Sequence, residues 1–145
     1  MMNFSRSTWL LLSIGLGILA IPGCGKRYIT VSGTVELPKD VKLAETDLVQ
    51  ITFVPDAKGE KSGFAVFNTS DKTFVCKDVL PGGKYKIAAK VEPAMGQADS
   101  AKRAPEFAAF NKTFEAASTK LVYQATEDSS QSIAIDFVKS TVSKK

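Results

Sequence analysis

The chain has 145 residues with 19 basic and 15 acidic side chains, a formal net charge of +4, and no histidine. The small and scattered positive charge does not indicate a nucleic-acid-binding protein, whose basic residues would cluster. The lack of histidine excludes Ser-His-Asp and Cys-His catalytic sites, as well as metal sites built on imidazole.

The first residues of the chain have the features of an export signal. A short segment with Arg6 precedes an apolar run from Trp9 to Ile21. That run is roughly half to two-thirds of the ~20 residues that a membrane-spanning helix needs. Pro22 follows directly and would end a helix that tried to continue. We therefore expect residues 1–23 to be a cleaved signal peptide rather than a permanent span.

The residues around Cys24 distinguish two kinds of export signal. An ordinary signal peptide has small residues at both the third and the first position before its cleavage site, and cleavage after Ala20 would put bulky Ile18 at the third. The sequence instead resembles the bacterial lipobox, an aliphatic residue, a spacer, a small residue and a cysteine: Ile21, Pro22, Gly23 and Cys24. The resemblance implies a diacylglyceryl group on the Cys24 sulfur. A plain secreted protein and an uncleaved membrane anchor are the alternatives.

A lipidated Cys24 would hold the protein at a membrane surface without any spanning helix, because two or more acyl chains bind a bilayer stably. Residues 24–27 would form the lipidated N-terminus and a short tether, whose Lys26 and Arg27 can touch anionic headgroups. The resemblance also implies that Gly25, rather than Asp, after the cysteine permits transfer to the outer membrane in cells with two membranes. We expect a cell-envelope protein that faces the periplasm or the exterior.

The rest of the chain is dominated by a strand pattern. Between residues 28 and 138, apolar and polar side chains alternate with period two in about seven short runs. In YITVSGTVEL, Val31 and Val35 belong to the apolar row, which Gly33 interrupts at a bulge or a close backbone approach. The stretch GFAVFNTSDKTFVC predicts a hairpin that turns at residues 68–71. The other runs are LVQITFVP, KYKIAAKV, TKLVYQA and QSIAIDFVK.

Strands with one apolar face must bury that face, and two packed antiparallel sheets are the usual solution. We therefore predict an all-β fold over residues 28–138, an antiparallel β-sandwich of about seven strands with one short helix. Residues 139–145 are expected to form a frayed tail.

One segment departs from the strand pattern. Phe107, Phe110 and Phe114 recur at helical spacing and predict a short helix over residues 105–118. Their rings either plug one end of the sandwich or form an aromatic stripe for a partner. Residues 92–104, ahead of this helix, lack periodicity and are expected to be a mobile loop, either a binding element or plain disorder.

Few side chains suggest chemistry, and we expect neither catalysis nor a metal or other cofactor. Cys76 lies in an apolar run, where a small buried hydrophobe is the ordinary interpretation. A reactive thiol is the alternative, with no histidine to activate it. A Cys24–Cys76 disulfide would follow from the plain secreted alternative. The acidic residues are expected on the solvated surface, and they include Glu36, Asp40, Glu45, Asp47 and Asp56; "PDAKGEKSG" has too few oxygen ligands for a calcium loop.

The stretches VSGTVEL, VQITFVPD and TSDKTFVCKDVLPGGKYKIAAKV together resemble the carboxypeptidase-regulatory-like, or transthyretin-like, sandwich family. In that family the first strand reads V-x-G-x-V, a later one I-x-F-x-P, and a D-x-D-G-x-F turn leads into L-x-P-G-x-Y-x-V. The resemblance covers residues 30–91 and, more loosely, 121–137. Ser70-Asp71-Lys72 replaces Asp-Gly in the turn. Some transthyretin-like sandwiches are ureide hydrolases, but that activity uses histidines and a C-terminal Tyr-Arg-Gly-Ser pattern that this chain lacks.

Two functional classes follow from the sequence. The first is a non-catalytic envelope lipoprotein, an interaction or structural module that contacts a protein or glycan partner. The second is a small-ligand or carbohydrate-binding module that uses the region of residues 92–104; the sequence assigns no individual ligand-binding residue. A ligand module should show a concave pocket with converging polar groups. An interaction module should show an exposed apolar patch or an open strand edge.

Overall fold

The computed structural model describes residues 25–96 and 99–145. The predicted signal peptide, residues 1–23, and the predicted lipid attachment site, Cys24, lie outside these residues. In the described part of the chain, none of the helices has both the length and the apolar character that crossing a membrane requires.

The described residues form eight strands and two short helices. The strands are β1 Ile29–Glu36, β2 Leu48–Pro55, β3 Gly63–Asn68, β4 Thr73–Val79, β5 Lys84–Glu92, β6 Val122–Gln124, β7 Ser130–Asp136 and β8 Thr141–Lys144. The helices are α1 Ser100–Arg103 and α2 Ala108–Phe114, joined by a 3-10 turn at Ala104–Phe107.

All eight strands belong to one hydrogen-bonded sheet, in the order β6-β5-β2-β3-β4-β1-β7-β8. The predicted all-β class is therefore confirmed. The expected pairing needs correction, because β1 and β7 run parallel while their other neighbours in the sheet are antiparallel. Periodicity in the sequence shows which face a side chain takes but not which strand lies alongside, so it could not predict this parallel pair. The edge strands β6 and β8 approach each other, and the sheet curls around its core.

The eighth strand lies in the segment expected to be a tail. β8 pairs antiparallel with β7, with Val142 opposite Ile135. Its residues are polar or only partly buried, so the apolar alternation that predicts a strand is missing. Backbone pairing to β7, rather than burial of apolar side chains, orders this segment.

The predicted hairpin is present as β3 and β4, with Asn68 opposite Thr73. Two side-chain bonds shape its turn: the Ser70 N–H donates to Asn68 Oδ1 at 3.0 Å, and the Thr73 N–H donates to Asp71 Oδ1 at 3.0 Å. Such local bonds are the reason that Asn and Asp favour turns. The lysine in the turn, Lys72, has a positive φ of 54°.

Gly33 marks a close approach between backbones. A Cβ atom at this position would lie 1.7 Å from the carbonyl oxygen of Ile133, its partner on the parallel strand β7. Only glycine fits such a contact. The irregular register of β1 lies instead between Ile29 and Val31, so the alternative of a bulge at Gly33 was wrong.

Helix α2 closes the gap that the short strand β6 leaves beside β5. β6 pairs only with the beginning of β5, at Lys84–Lys86. Further along β5, the side-chain amide of Asn111 accepts a bond from the Val91 N–H at 2.7 Å and donates one to the Val91 carbonyl at 2.9 Å. One side chain thus satisfies both backbone groups of an edge residue, as a neighbouring strand would do.

The three phenylalanines of the helical segment are buried in the core. The rings of Phe110 and Phe114 pack against Phe137, with centroids 5.4 Å and 4.7 Å apart. The rings are therefore part of the core, and the alternative of an exposed aromatic stripe is wrong. The helical segment starts before the expected residue 105, because α1 falls within the expected loop of residues 92–104.

Candidate functional site

The lipobox residues Ile21, Pro22, Gly23 and Cys24 lie outside the described residues, so the structure begins at the tether that would follow the lipid. Gly25–Tyr28 is exposed and leads into β1. Lys26 Nζ lies 3.6 Å from Glu60 Oε1 in the loop after β2.

The carboxylates considered for a calcium loop are each paired with a lysine at this end of the domain. Lys84 Nζ lies 3.8 Å from Asp56 Oδ2, and Glu60 faces Lys26. Within residues 25–96 and 99–145, His, Cys, Asp and Glu side chains form no group of three that could hold a metal ion. The two carboxylates serve as partners of neighbouring cations.

An apolar patch lies on the outer face of the β3–β4 hairpin, and it was not predicted. It consists of Phe64, Val66 and Val75, whose exposed fractions are 57%, 78% and 38%. Val66 and Val75 are directly opposite each other, while the alternate residues of the hairpin, such as Phe74 and Cys76, are buried in the core. Apolar side chains therefore occupy both faces of this hairpin.

The sequence does contain a signal for this patch. In GFAVFN, apolar residues stand at consecutive positions, so both faces of β3 carry apolar side chains. Phe64, Val66 and Val75 line a groove together with Lys77 and Asp78. We refer to Phe64, Val66 and Val75 as the hairpin patch.

A second groove adjoins the predicted binding region of residues 92–104. It has a volume of about 450 Å³, and its walls include Leu48, Lys90, Glu92 and Met95. Met95 is 96% exposed and Leu48 is 60% exposed. The charged groups are paired with each other, since Lys90 Nζ lies 2.6 Å from Glu92 Oε1. The exposed apolar side chains of this groove are therefore those of Met95 and Leu48.

Next to this groove, α1 is fixed by a buried ion pair. Both carboxylate oxygens of Asp47 accept hydrogen bonds from the Arg103 guanidinium, at 2.6 Å and 2.7 Å. Asp47 Oδ2 also accepts the Ala44 N–H at 2.7 Å. Arg103 Nη2 donates to the Lys42 carbonyl at 3.0 Å, and its guanidinium carbon lies 5.4 Å from the centre of the Phe107 ring.

Asp47 corrects the expectation that the acidic residues lie on the solvated surface. Its side chain is fully buried, whereas Glu36, Asp40, Glu45 and Asp56 are exposed. Burial acts to raise the pKa of Asp47, but hydrogen bonds from Arg103 and the Ala44 N–H outweigh burial and hold the pKa below its usual value. Its partner lies far away in the sequence, so no local pattern could identify the pair.

Cys76 is a fully buried thiol, as the ordinary interpretation predicted. Burial raises the pKa of its thiol, which disfavours the nucleophilic thiolate. Gly63 leaves room for it, since a Cβ there would lie 2.8 Å from Cys76 Sγ. The alternative Cys24–Cys76 disulfide involves a residue outside the described part of the chain.

The arrangement offers binding surfaces: an apolar patch on the hairpin, an open groove beside residues 92–104, and a charged tether end. Comparison of the sequence with models of protein families, with curated proteins and with solved structures gives no match.

Proposed function

We propose that this chain is a non-catalytic lipoprotein of the cell envelope, anchored through Cys24, whose all-β domain is an interaction or structural module. The observation that carries the proposal is the hairpin patch of Phe64, Val66 and Val75. Contiguous exposed apolar side chains on a small domain are characteristic of a surface that contacts another component. The patch is the feature expected of an interaction module.

The sequence supports the anchoring part of the proposal. An apolar run too short to span a bilayer is followed by a quartet that resembles the lipobox, ending at Cys24. Two or more acyl chains there would hold the domain stably at a membrane. Gly25 after the cysteine favours the outer membrane, with the domain facing the periplasm or the exterior.

We also propose that the curled sheet is a variant of the transthyretin-like sandwich, with its two halves facing each other across the core. Support comes from the strands that carry the resemblance. Val31 and Val35 point into the core on either side of Gly33. The hydroxyl of Tyr85, at the tyrosine of the L-x-P-G-x-Y pattern, accepts the Leu80 N–H at 2.7 Å.

Three carboxylates near the grooves and the tether, Asp47, Asp56 and Glu60, give little support to a catalytic function. Asp47 is occupied by Arg103, and Asp56 and Glu60 face separate lysines. A general acid or nucleophile must be free to exchange protons or attack substrate. We therefore propose that the domain acts by contact alone.

The anchoring proposal is tested with the Cys24→Ser variant of the full chain, expressed in a bacterium that is fed labelled palmitate. The unchanged chain should incorporate label and sediment with membranes, and the variant should do neither. Cys76→Ser is the matched control and should keep both the label and the membrane fraction. Membrane association of Cys24→Ser equal to that of the unchanged chain would refute the lipid anchor.

The interaction proposal is tested with a photo-crosslinking side chain at position 66, within the hairpin patch, and at position 138 as control. Val66 and Val138 are both exposed valines, so neither change should disturb the core. Crosslinked products that form at position 66 and not at position 138 would support a contact through the patch. Equal products, or none, at the two positions would contradict it.

A second function, binding of a small ligand or carbohydrate, is favoured by the groove beside residues 92–104. Its open shape and the exposed Met95 and Leu48 offer an apolar platform, and the Lys90–Glu92 pair offers polar groups. Titration with cell-wall oligosaccharides, followed by amide chemical shifts, tests this function. Shifts should concentrate at the groove; shifts that are absent or spread over the whole domain would dismiss it.

A further inference from the structure

The tether between the proposed lipid and the sheet is very short. Only Gly25–Tyr28 separate Cys24 from the first residue of β1. The five residue steps from Cys24 to Ile29 span at most about 18 Å. If Cys24 carries the lipid, as proposed above, the start of β1 therefore lies within that distance of the membrane surface.

The hairpin patch lies close to this end of the tether. Val66 on β3, Val75 on β4 and Ser32 on β1 form one row across three adjacent strands. Neighbouring strands are about 4.8 Å apart and each residue advances about 3.3 Å, so Val66 is about 14 Å from Ile29 at the start of β1. The length of the tether and the distance from Ile29 to Val66 add up to about 30 Å. The hairpin patch therefore lies within about 30 Å of the bilayer in any orientation of the domain.

Two lysines lie on the same outer face of the sheet as the hairpin patch. Lys77 lies next to the patch on β4, and Lys86 lies on the outer face of β5. Among the described residues, neither forms an ion pair. Asp78 is the acidic side chain in the groove of the patch. In the tether itself, Arg27 adds a cation, whereas Lys26 faces Glu60 at 3.6 Å.

We infer that the hairpin patch of Phe64, Val66 and Val75 rests on the anionic lipid surface in which Cys24 is anchored, so that the lipid surface is the partner of the proposed interaction module. Exposed apolar side chains next to a lysine are typical of surfaces that lie in a membrane interface. The short tether gives the lipid surface a high effective concentration at the patch, which a diffusing protein partner lacks. This inference rests on the proposed lipid anchor.

The test uses the full chain, purified from bacterial membranes and reconstituted into vesicles that contain phosphatidylglycerol. Val66→Cys and, as matched control, Val138→Cys each receive an environment-sensitive fluorophore on the new thiol. Val138 follows β7, at the end of β1 opposite the tether, since Glu36 is paired with Asp136. The native Cys76 is fully buried, and lipid blocks Cys24.

The expected result is a blue-shifted emission at position 66 that a quencher attached to the lipid tails suppresses, with no such response at position 138. Adding Lys77→Glu to Val66→Cys should weaken the quenching, and vesicles of phosphatidylcholine alone should weaken it as well. Both changes leave the anchor and the core unaltered.

The outcomes separate this inference from the proposal on which it rests. Vesicle-bound protein with equal responses at positions 66 and 138 would overturn the inference and leave the lipid anchor standing. Protein that washes from the vesicles and takes up fluorophore at Cys24 would overturn the anchor and the inference together.

Discussion

Arg103 donates two hydrogen bonds to the carboxylate of Asp47, across 56 residues of sequence, at 2.6 Å and 2.7 Å. The pair connects α1 with the turn before β2, at the edge of the groove beside residues 92–104. A buried carboxylate is stable only when paired and hydrogen-bonded. This contact helps to hold the helical segment on the sheet.

Replacing Asp47 by Ala should destabilise the domain by about 2 kcal/mol, because the Ala44 N–H and the Arg103 guanidinium lose their acceptor. Urea unfolding followed by circular dichroism measures the change. Glu45→Ala is the control, since Glu45 is exposed and should shift stability by no more than about 0.5 kcal/mol. Equal midpoints for the two variants would show that the ion pair does not hold the segment.

The lowered pKa of Asp47 predicts a loss of stability in acid. The usual pKa of an Asp carboxyl is 3.8. When folding lowers the pKa of a carboxyl, the carboxylate stabilises the fold at pH values above the usual pKa. This stabilisation is lost as the pH falls through the lowered pKa of the folded state. Unfolding free energies measured across this acidic range should fall less steeply for Asp47→Asn than for the unchanged chain. Parallel curves for the two proteins would contradict the assignment.

Much of the sheet was predictable because strand faces are a local property. The alternation in β1, β2 and β5 determines which side chains are buried, and the Asn68 and Asp71 side chains define the hairpin turn. β8 was missed because backbone pairing, with little apolar burial, holds it against β7. The parallel neighbour of β1 was missed because periodicity contains no information about strand order.

The candidate site was less predictable than the fold, for two physical reasons. The Asp47–Arg103 pair depends on tertiary structure that brings distant residues together, so each residue alone looked like solvated surface. The hairpin patch was missed because apolar residues at consecutive positions of β3 do not show which of its two faces is open to solvent. A strand with apolar residues on both faces can bury only one of them when the other side of the sheet is open to solvent.

Gly33→Ala should separate β1 from β7. The new Cβ would lie 1.7 Å from the Ile133 carbonyl oxygen, and backbone at that distance must move. We expect a loss of about 2 kcal/mol or more in the free energy of unfolding, as for other overpacked sites. Gly25→Ala is the control, because no atom lies within 4 Å of a Cβ there. A Gly33→Ala midpoint equal to that of the control would mean that the parallel pairing is wrong.

Two substitutions of Tyr85 separate the contribution of its ring from that of its hydroxyl. The side chain is buried, and its oxygen accepts the Leu80 N–H at 2.7 Å. Tyr85→Phe should lower the free energy of unfolding by about 1 kcal/mol through the lost bond. Tyr85→Ala should cost ~3 kcal/mol or more through the lost ring. Denaturant titration measures both; a near-neutral Tyr85→Ala would mean that the register of β5 is wrong.

The two hydrogen bonds of the Asn111 side chain predict that replacing Asn111 loosens the edge of β5 more than the rest of the sheet. Asn111→Ala removes both bonds to Val91 and should destabilise the domain by about 2 kcal/mol, because two backbone groups lose their partners. Hydrogen exchange of the Val91 amide should accelerate more than exchange of amides in β1, since the edge of β5 opens first. Lys112→Ala, on the exposed side of α2, should leave both rates unchanged. Protection of Val91 that survives Asn111→Ala would show that α2 does not take the place of a strand along β5.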